Sequence, residues 1–348
     1  MSDCFRVLVF VSCYLPGYKS GGPVRTIANL VAHLGDEFAF YIVASDRDAT
    51  ATQPYPDIAK DQWNSVGKAQ VFYLSPEKRS LSAITELIRQ TEHDVLYLNS
   101  FFNPVFTFLP LLGRKLGRIP AKPVVIAPRG EFSEGALGLK KWKKFPYVFT
   151  ARAMGLYRNL TWQASSRHEV RDIRLYMGTQ AREIVVAPNL PPPVFKETRP
   201  TPCKPADFLK ISFLSRITPK KNLDFALRVL EKVSVPAVFN IYGPVRDAGY
   251  WNTCEKLLKN LPPHIAAIFH GSVHPRQVPE IMQAHDLFFL PTRGENYGHV
   301  IAEALSAGTP VLISDTTPWR GMEAAGVGWD LSLDNEAGFG QCIERCFY

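Results

Sequence analysis

The chain has 348 residues, 46% of them hydrophobic and 21% charged. That balance suits a soluble two-domain protein and excludes a disordered, fibrous or disulfide-stapled one. A net charge of +8 favours anionic partners, among which nucleic acid, nucleotide phosphates and anionic lipid head groups all fit.

No run approaches the ~20 apolar residues that a membrane span needs. Asp3 and Arg6 precede a short apolar run without a small-residue cleavage pattern, so the start reads as a strand and not a signal peptide. Six cysteines (Cys4, Cys13, Cys203, Cys254, Cys342 and Cys346) form no CxxC pair and no zinc-spaced cluster. Free thiols in a reducing cytoplasm are the expected state.

Short apolar runs alternate with amphipathic segments of helical length, which argues for parallel sheets covered by helices on both faces. In the first half, strands are expected at residues 7–12, 39–44, 71–74, 95–99, 124–127, 160–163 and 184–186. Helices are expected at 23–34, 82–90 and 168–177. A proline-rich stretch from Pro188 to Pro205 reads as an extended linker, because proline removes backbone donors and blocks helix. The pattern then restarts. Strands are expected at 210–214, 237–242, 267–270, 287–291 and 310–314, and helices at 223–233, 250–260, 277–284, 300–307 and from about Asn335 onward. The expected division is an N-terminal domain at 1–188, a linker at 189–207 and a C-terminal domain at 208–348. Two such α/β halves imply a cleft between them, and parallel sheets bind ligands at the carboxyl ends of their strands.

The segment from Leu290 to Val311 carries the most chemistry. A strand ends at Pro291, a polar loop holds Glu295 and Asn296, and Gly298 opens a helix that ends at Gly308. Free N–H groups at that helix start suit a pyrophosphate, and Gly298 lets it approach the backbone. Glu303, eight positions after Glu295, is placed to accept two hydroxyl hydrogen bonds from a ribose. Glu295 is placed to hold hydroxyls of a sugar. Read without this frame, Glu295 would be a helix cap and Glu303 a solvated helix residue.

This segment resembles the E-x7-E signature of retaining GT-B glycosyltransferases of family 4, the "group 1" glycosyltransferases. The resemblance is strong from Lys210 to Trp319 and weaker before Pro188. It implies two Rossmann-like domains facing across a cleft, with an N-terminal acceptor domain and a C-terminal domain for a nucleotide-sugar donor.

A second matching piece runs from Phe213 to Leu223. Arg216 and Lys221 lie at a spacing that can clamp a diphosphate and neutralise the departing nucleoside diphosphate. Asn222 stands where the family more often has glycine; asparagine tolerates the left-handed region and can cap a helix. Arg216, Lys221 and Glu295 are the expected catalytic residues. Tyr242-Gly243-Pro244 resembles the family's glycine turn near the nucleotide, and His270-Gly271-Ser272-Val273 the segment whose backbone reads the base. Pro188-Asn189-Leu190 resembles its turn at the domain junction. Gly243, Ser272, Val273, Asn296, Tyr297, Gly298 and Glu303 are thus expected around the donor. Gly21 and Gly22, in a glycine-rich loop after the first strand, are expected to face its diphosphate.

The clearest departure is Ala127-Pro128-Arg129-Gly130-Glu131, where many relatives have a histidine. Arg129 is expected to bind an anionic acceptor or donor phosphate and Glu131 to polarise an acceptor hydroxyl; a surface ion pair between the two is the alternative. Finally, residues 139–145 pack four lysines with Trp142 and Phe145, which suits an anionic membrane surface or a lipid-linked acceptor, or a solvated helix face. No aromatic-interleaved basic groove for nucleic acid is visible.

The resemblance implies transfer of a hexose from a nucleoside-diphosphate sugar, UDP or GDP first, to a hydroxyl of a glycan or lipid-linked acceptor. It further implies a role in surface polysaccharide biosynthesis and retention at the anomeric carbon. No metal or other cofactor is required, because Arg216, Lys221 and backbone N–H groups hold the phosphate charge. The expected location is the cytoplasm, including the inner face of the membrane. A GT-B sugar-nucleotide epimerase or phosphorylase and a non-catalytic sugar-nucleotide-binding protein remain alternatives.

Overall fold

A computed structural model of the chain describes residues 4–49, 51–133, 137, 141–193 and 207–348, and of Lys141 and Lys143 the backbone alone. Most of the proline-rich stretch, 194–206, and the start of the lysine-rich segment, 138–140, lie outside the described residues. The chain divides into two compact units, Met1–Leu190 and Pro191–Tyr348.

The first unit runs β1 (Phe5–Phe10), α1 (Gly22–Leu34), β2 (Phe38–Ser45), β3 (Trp63–Val66), β4 (Ala69–Leu74), α2 (Leu81–Gln90) and β5 (Val95–Asn99). It continues with α3 (Leu109–Lys115), β6 (Val124–Ala127), α4 (Lys141–Ala153), β7 (Thr161–Ala164), α5 (Arg167–Met177) and β8 (Glu183–Val186). Its strands order as β3-β4-β2-β1-β5-β6-β7-β8. All pairs are parallel except β3–β4. The Val7–Val11 run is buried throughout, as a strand covered on both faces must be.

The hairpin strand β3 was not expected, since Trp-Asn-Ser-Val is short and half polar. Nor was α3, which continues a π-helical turn at Pro104–Phe108 that Asn103 caps through Val105 and Phe106 N–H groups. Proline at the first turn is compatible with a helix, so Pro104 and Pro110 do not interrupt this one.

The second unit runs β9 (Leu209–Leu214), α6 (Leu223–Glu231), β10 (Ala237–Tyr242), α7 (Ala248–Leu258), β11 (Ile265–Gly271), α8 (Val278–Gln283) and β12 (Leu287–Leu290). It then adds α9 (His299–Ser306), β13 (Val311–Ser314), β14 (Gly328–Leu331) and α10 (Glu336–Phe347). The all-parallel order β11-β10-β9-β12-β13-β14 reverses direction between β9 and β12. Such a reversal opens a crevice outside the carboxyl ends of those two strands. The unexpected β14 begins at Gly328 (φ 140°), where a Cβ would lie 1.9 Å from the Val311 carbonyl oxygen, so only glycine lets the two strands pair.

The helix α10 closes this core. Asn335 caps it through the Gly338 N–H, and Phe339 and Ile343 are fully buried. The Phe339 ring stands edge-on to Phe225 at 5.1 Å and lies 5.8 Å from Phe289. Phe339→Ala should remove about 3–5 kcal/mol, the usual cost of deleting a buried ring. Thermal unfolding followed by circular dichroism should show a markedly lower melting transition; an unchanged one would mean that α10 is peripheral.

Candidate functional site

The loops leaving β9 and β12 meet at the point where the second sheet reverses. After β9 the chain passes Ser215 and Arg216 and makes a 3-10 turn at Pro219–Lys221. Asn222 follows in the left-handed region (φ 62°, ψ 39°) at the start of α6. The expected tolerance for this geometry is met, but its side chain does not cap the helix. Instead its Nδ2 donates to the Pro291 carbonyl at 2.9 Å, and its Oδ1 accepts from Arg293 Nε at 3.0 Å. The Lys220 carbonyl accepts from Arg293 N (2.8 Å) and Thr292 Oγ1 (3.1 Å). Four hydrogen bonds therefore brace one loop against the other.

This bracing sets Lys221 against Glu295 as a direct ion pair. Both side chains are nearly buried, 11% and 12% exposed. Lys220 lies alongside, and its Cε comes within 3.9 Å of the position a Cβ on Gly294 would take. Burial holds the Lys220 ammonium below its ordinary pKa; Glu295 offsets this, while Lys221 and Arg216 add to it. Arg216 is exposed. Lys220 and Lys221 thus stand by one carboxylate with Arg216 near Lys220, and the excess positive charge is concentrated at the strand ends.

The helix α9 begins in the same place. Gly298 sits in the left-handed region (φ 81°, ψ 59°) and provides no side-chain cap, so its first-turn N–H groups stay uncapped by side chains. A Cβ there would meet Ile301 Cδ1 at 2.9 Å. One turn on, Glu303 is only 7% exposed, which rules out the solvated-helix reading of that residue. The Tyr297 carbonyl accepts from Trp319 Nε1 at 2.5 Å, and the two rings lie 5.4 Å apart. Burial pushes the Tyr297 hydroxyl up to about 12, so it stays protonated and able to donate at neutral pH. Asn296 lies half-buried in the same loop.

Gly243 has a packing reason for being glycine. At φ 133°, an added Cβ would fall 1.8 Å from the Ser215 carbonyl oxygen. The turn after β10 therefore presses on the backbone that leads into Arg216. Ser272 and Val273 follow the edge strand β11, with Ser272 exposed and Val273 partly buried against the core. Among the described residues no hydrogen bond or ion pair ties them to the Lys221–Glu295 pair.

In the first unit, Gly21 (φ 69°, ψ −119°) opens α1 without a side-chain cap, and Gly22 is the exposed first residue of that helix. The loop before them is held by Asp48, whose carboxylate accepts from the N–H groups of Tyr18 (2.9 Å) and Lys19 (3.1 and 3.2 Å). Asp48 is not legible in the sequence, because the N–H groups it holds lie about thirty positions away.

The Arg129–Glu131 region needs correction. The two side chains do not pair. Arg129 (φ 58°) donates to Asn99 Oδ1 at 2.6 and 3.0 Å, to Asn189 Oδ1 at 2.7 Å and to the Tyr97 hydroxyl. All of these partners are neutral, so none of them offsets the guanidinium charge, but most of its donors are used. Asn189, from the expected junction turn, is thereby fastened to the first sheet, and Asn29 Nδ2 holds the next carbonyl, that of Leu190, at 2.9 Å.

Glu131 is not placed to polarise an acceptor. Its carboxylate accepts from Ser100 Oγ (2.7 Å) and from the N–H groups of Phe101 (2.5 Å) and Phe102 (3.1 Å), and so fastens the turn after β5. Burial raises its pKa above the ordinary 4.5, an effect partly offset by those three donors and by Lys144. A carboxyl group with a raised folded-state pKa contributes stability below pH 4.5 that is lost as pH rises through the folded value.

Residues 194–330 match the family profile described as Glycosyl transferases group 1. An uncharacterized 41.2 kDa protein in the cps region of Klebsiella pneumoniae is 26% identical over 262 residues, covering 71% of this chain and 69% of the relative. Among solved structures, Anabaena HepE in complex with UDP and glucose superposes with a TM-score of 0.66 at 16% identity, over 98% of this chain and 89% of HepE. The lipopolysaccharide outer core galactosyltransferase WaaB, in its apo form, gives a TM-score of 0.61 at 13% identity, over 98% and 90%.

Glu131 can be tested by two substitutions. Glu131→Gln keeps an acceptor for the two N–H groups and a donor for Ser100, so it should melt close to wild type below pH 4.5 and somewhat above it at pH 7, where only the wild type has lost the contribution of its protonated carboxyl. Glu131→Ala strands three donors and should cost about 1–3 kcal/mol. Loss of activity in a stably folded Glu131→Gln enzyme would restore a chemical role.

Proposed function

We propose that this chain, a group 1 glycosyltransferase with the GT-B fold, moves a hexose from a nucleoside-diphosphate sugar to a hydroxyl of a glycan or lipid-linked acceptor. The observation that carries this reading is the cluster of Arg216, Lys220 and Lys221 beside Glu295 and the uncapped start of α9, gathered where the second sheet reverses. Cations and a helix start that lacks a side-chain cap suit a diphosphate, and Glu295 and Glu303 suit sugar hydroxyls. UDP is the first candidate base carrier, because HepE and others of similar fold are described with UDP or UDP-sugars. The cps region and lipopolysaccharide descriptions of the relatives support a place in surface polysaccharide synthesis.

In this reading Arg216 and Lys221 neutralise the diphosphate as the bond from the anomeric carbon to the phosphate oxygen breaks. The acceptor oxygen forms its bond on the same face, its proton passes to the departing diphosphate, and configuration is retained. Glu295 orients donor hydroxyls, and Glu303 the ribose. Asn296, Tyr297 and Gly298 flank the diphosphate; Gly243, Ser272 and Val273 serve the nucleotide side. On the first unit, Gly21 and Gly22 offer N–H groups to phosphate, and Arg129 lends its charge to an anionic acceptor. No step calls for a metal, because protein cations supply the leaving-group charge.

Peripheral contact with an anionic membrane belongs to the same proposal. On α4, Trp142 (74% exposed), Phe145 (48%) and Phe149 (77%) recur at spacings of three and four residues, so one face of the helix is an aromatic ridge. Among the described residues no helix is long and apolar enough to cross a membrane.

Two substitutions separate the roles. Glu303→Ala should weaken donor binding roughly tenfold, read as a smaller ligand-induced thermal shift, because a charged hydrogen bond to ribose is worth about 1.5–3 kcal/mol. Lys221→Ala should lower kcat about 10²-fold while donor affinity changes far less, since leaving-group charge peaks in the transition state. A protein whose melting is indifferent to every UDP-, GDP- and ADP-sugar would end the proposal.

A further inference from the structure

We infer that the first unit carries a second anion site, a cleft of about 590 Å³ that takes a phosphate group. It lies at the amino ends of β6 and β7, between the end of α3, the loop 117–123 and the turn 155–159. That is the end of the sheet opposite to Arg129 and the glycine loop. The cleft is lined by Arg114, Lys115, Lys122 and Arg158, and no carboxylate side chain lines it. Its volume falls within the ~300–1,000 Å³ usual for ligand sites.

Part of the cation set is already positioned. Arg114 donates from Nη1 to the Arg158 carbonyl and from Nη2 to the Asn159 carbonyl, both at 3.1 Å. Those bonds use two of the five N–H groups of a guanidinium and fix its plane. Lys115 Nζ is anchored to the Met154 carbonyl. Lys122 and Arg158 are exposed, and among the described residues neither head group has an ion-pair partner.

Carboxylates at this end of the sheet are engaged elsewhere: Asp94 Oδ2 accepts from the Arg6 N–H at 2.8 Å and Glu183 Oε2 from Thr161 Oγ1 at 3.0 Å. Between Val95 and His168 the only acidic residues are Glu131 and Glu134, and Glu131 is committed to Ser100 and two backbone N–H groups. Four like charges facing one concavity repel, and an anion bound among them relieves that repulsion. Arginine forks and lysine ammonium groups match phosphate oxygens best of the common anions. The phosphate can belong to a soluble ester or to a lipid head group; Leu116 and Met154, 52% and 36% exposed beside Lys115 and its anchor, add an apolar border that either can adjoin.

The test uses the full chain and the double variant Lys122→Gln/Arg158→Gln. One arm titrates inorganic phosphate and glycerol phosphate by calorimetry. The other floats the protein with vesicles of phosphatidylglycerol in phosphatidylcholine, against phosphatidylcholine alone. The double variant should bind at least tenfold more weakly in one arm, with nucleoside-diphosphate binding unchanged. A loss confined to calorimetry identifies a soluble phosphate, and a loss confined to vesicles identifies a head group. A Trp142→Ala/Phe149→Ala variant should keep the calorimetric signal, which separates the cleft from the aromatic ridge. If the double variant melts early, Lys122→Gln alone must show the same direction of change. Wild-type and variant proteins that behave alike in both arms would overturn the inference.

Discussion

The candidate site rests on the brace between the loops that leave β9 and β12. A parallel sheet that reverses its winding leaves a crevice at the reversal, but the crevice has chemistry only if its two loops hold a fixed relation. Here Asn222 supplies two of the four bonds that fix it, because its left-handed backbone points the amide at Pro291 and Arg293. The Lys220 carbonyl supplies the other two. Glycine at position 222 would satisfy the backbone and forfeit the cross-loop bonds. The placement of Lys220, Lys221 and Glu295 therefore depends on a residue with no charge of its own.

Much of this was legible in the sequence because parallel strands buried on both faces read as unbroken apolar runs. The strand–loop–helix–strand frame from Leu290 to Val311 is of that kind, and its observed bounds, β12 and β13 with α9 between them, lie within a residue or two of the expected ones. What escaped were elements whose local signal contradicts their tertiary context. The strand β14 starts at a glycine that close packing demands, β3 is half polar, and α3 hides behind two prolines.

Side-chain roles were less legible than elements, since a role depends on partners far away in sequence. Arg129 and Glu131 stand two positions apart and suggested a shared task. Their partners come instead from β5 and its following turn and, for Arg129, from Asn189. Both residues hold together the strand ends of the first sheet. Lys221 and Glu295 were read as serving different parts of a ligand, and a separation of seventy-four residues gave no hint that they touch.

Their contact bears on how the crevice would empty and fill. The nearly buried lysine and glutamate each give the other a partner that water does not supply there. A ligand with phosphate but no hexose could engage the lysine only by leaving the glutamate unmatched. An activated sugar could engage both at once. On the function proposed above, the arrangement favours the intact donor over the spent nucleotide, and turnover ends with the lysine and glutamate pairing again.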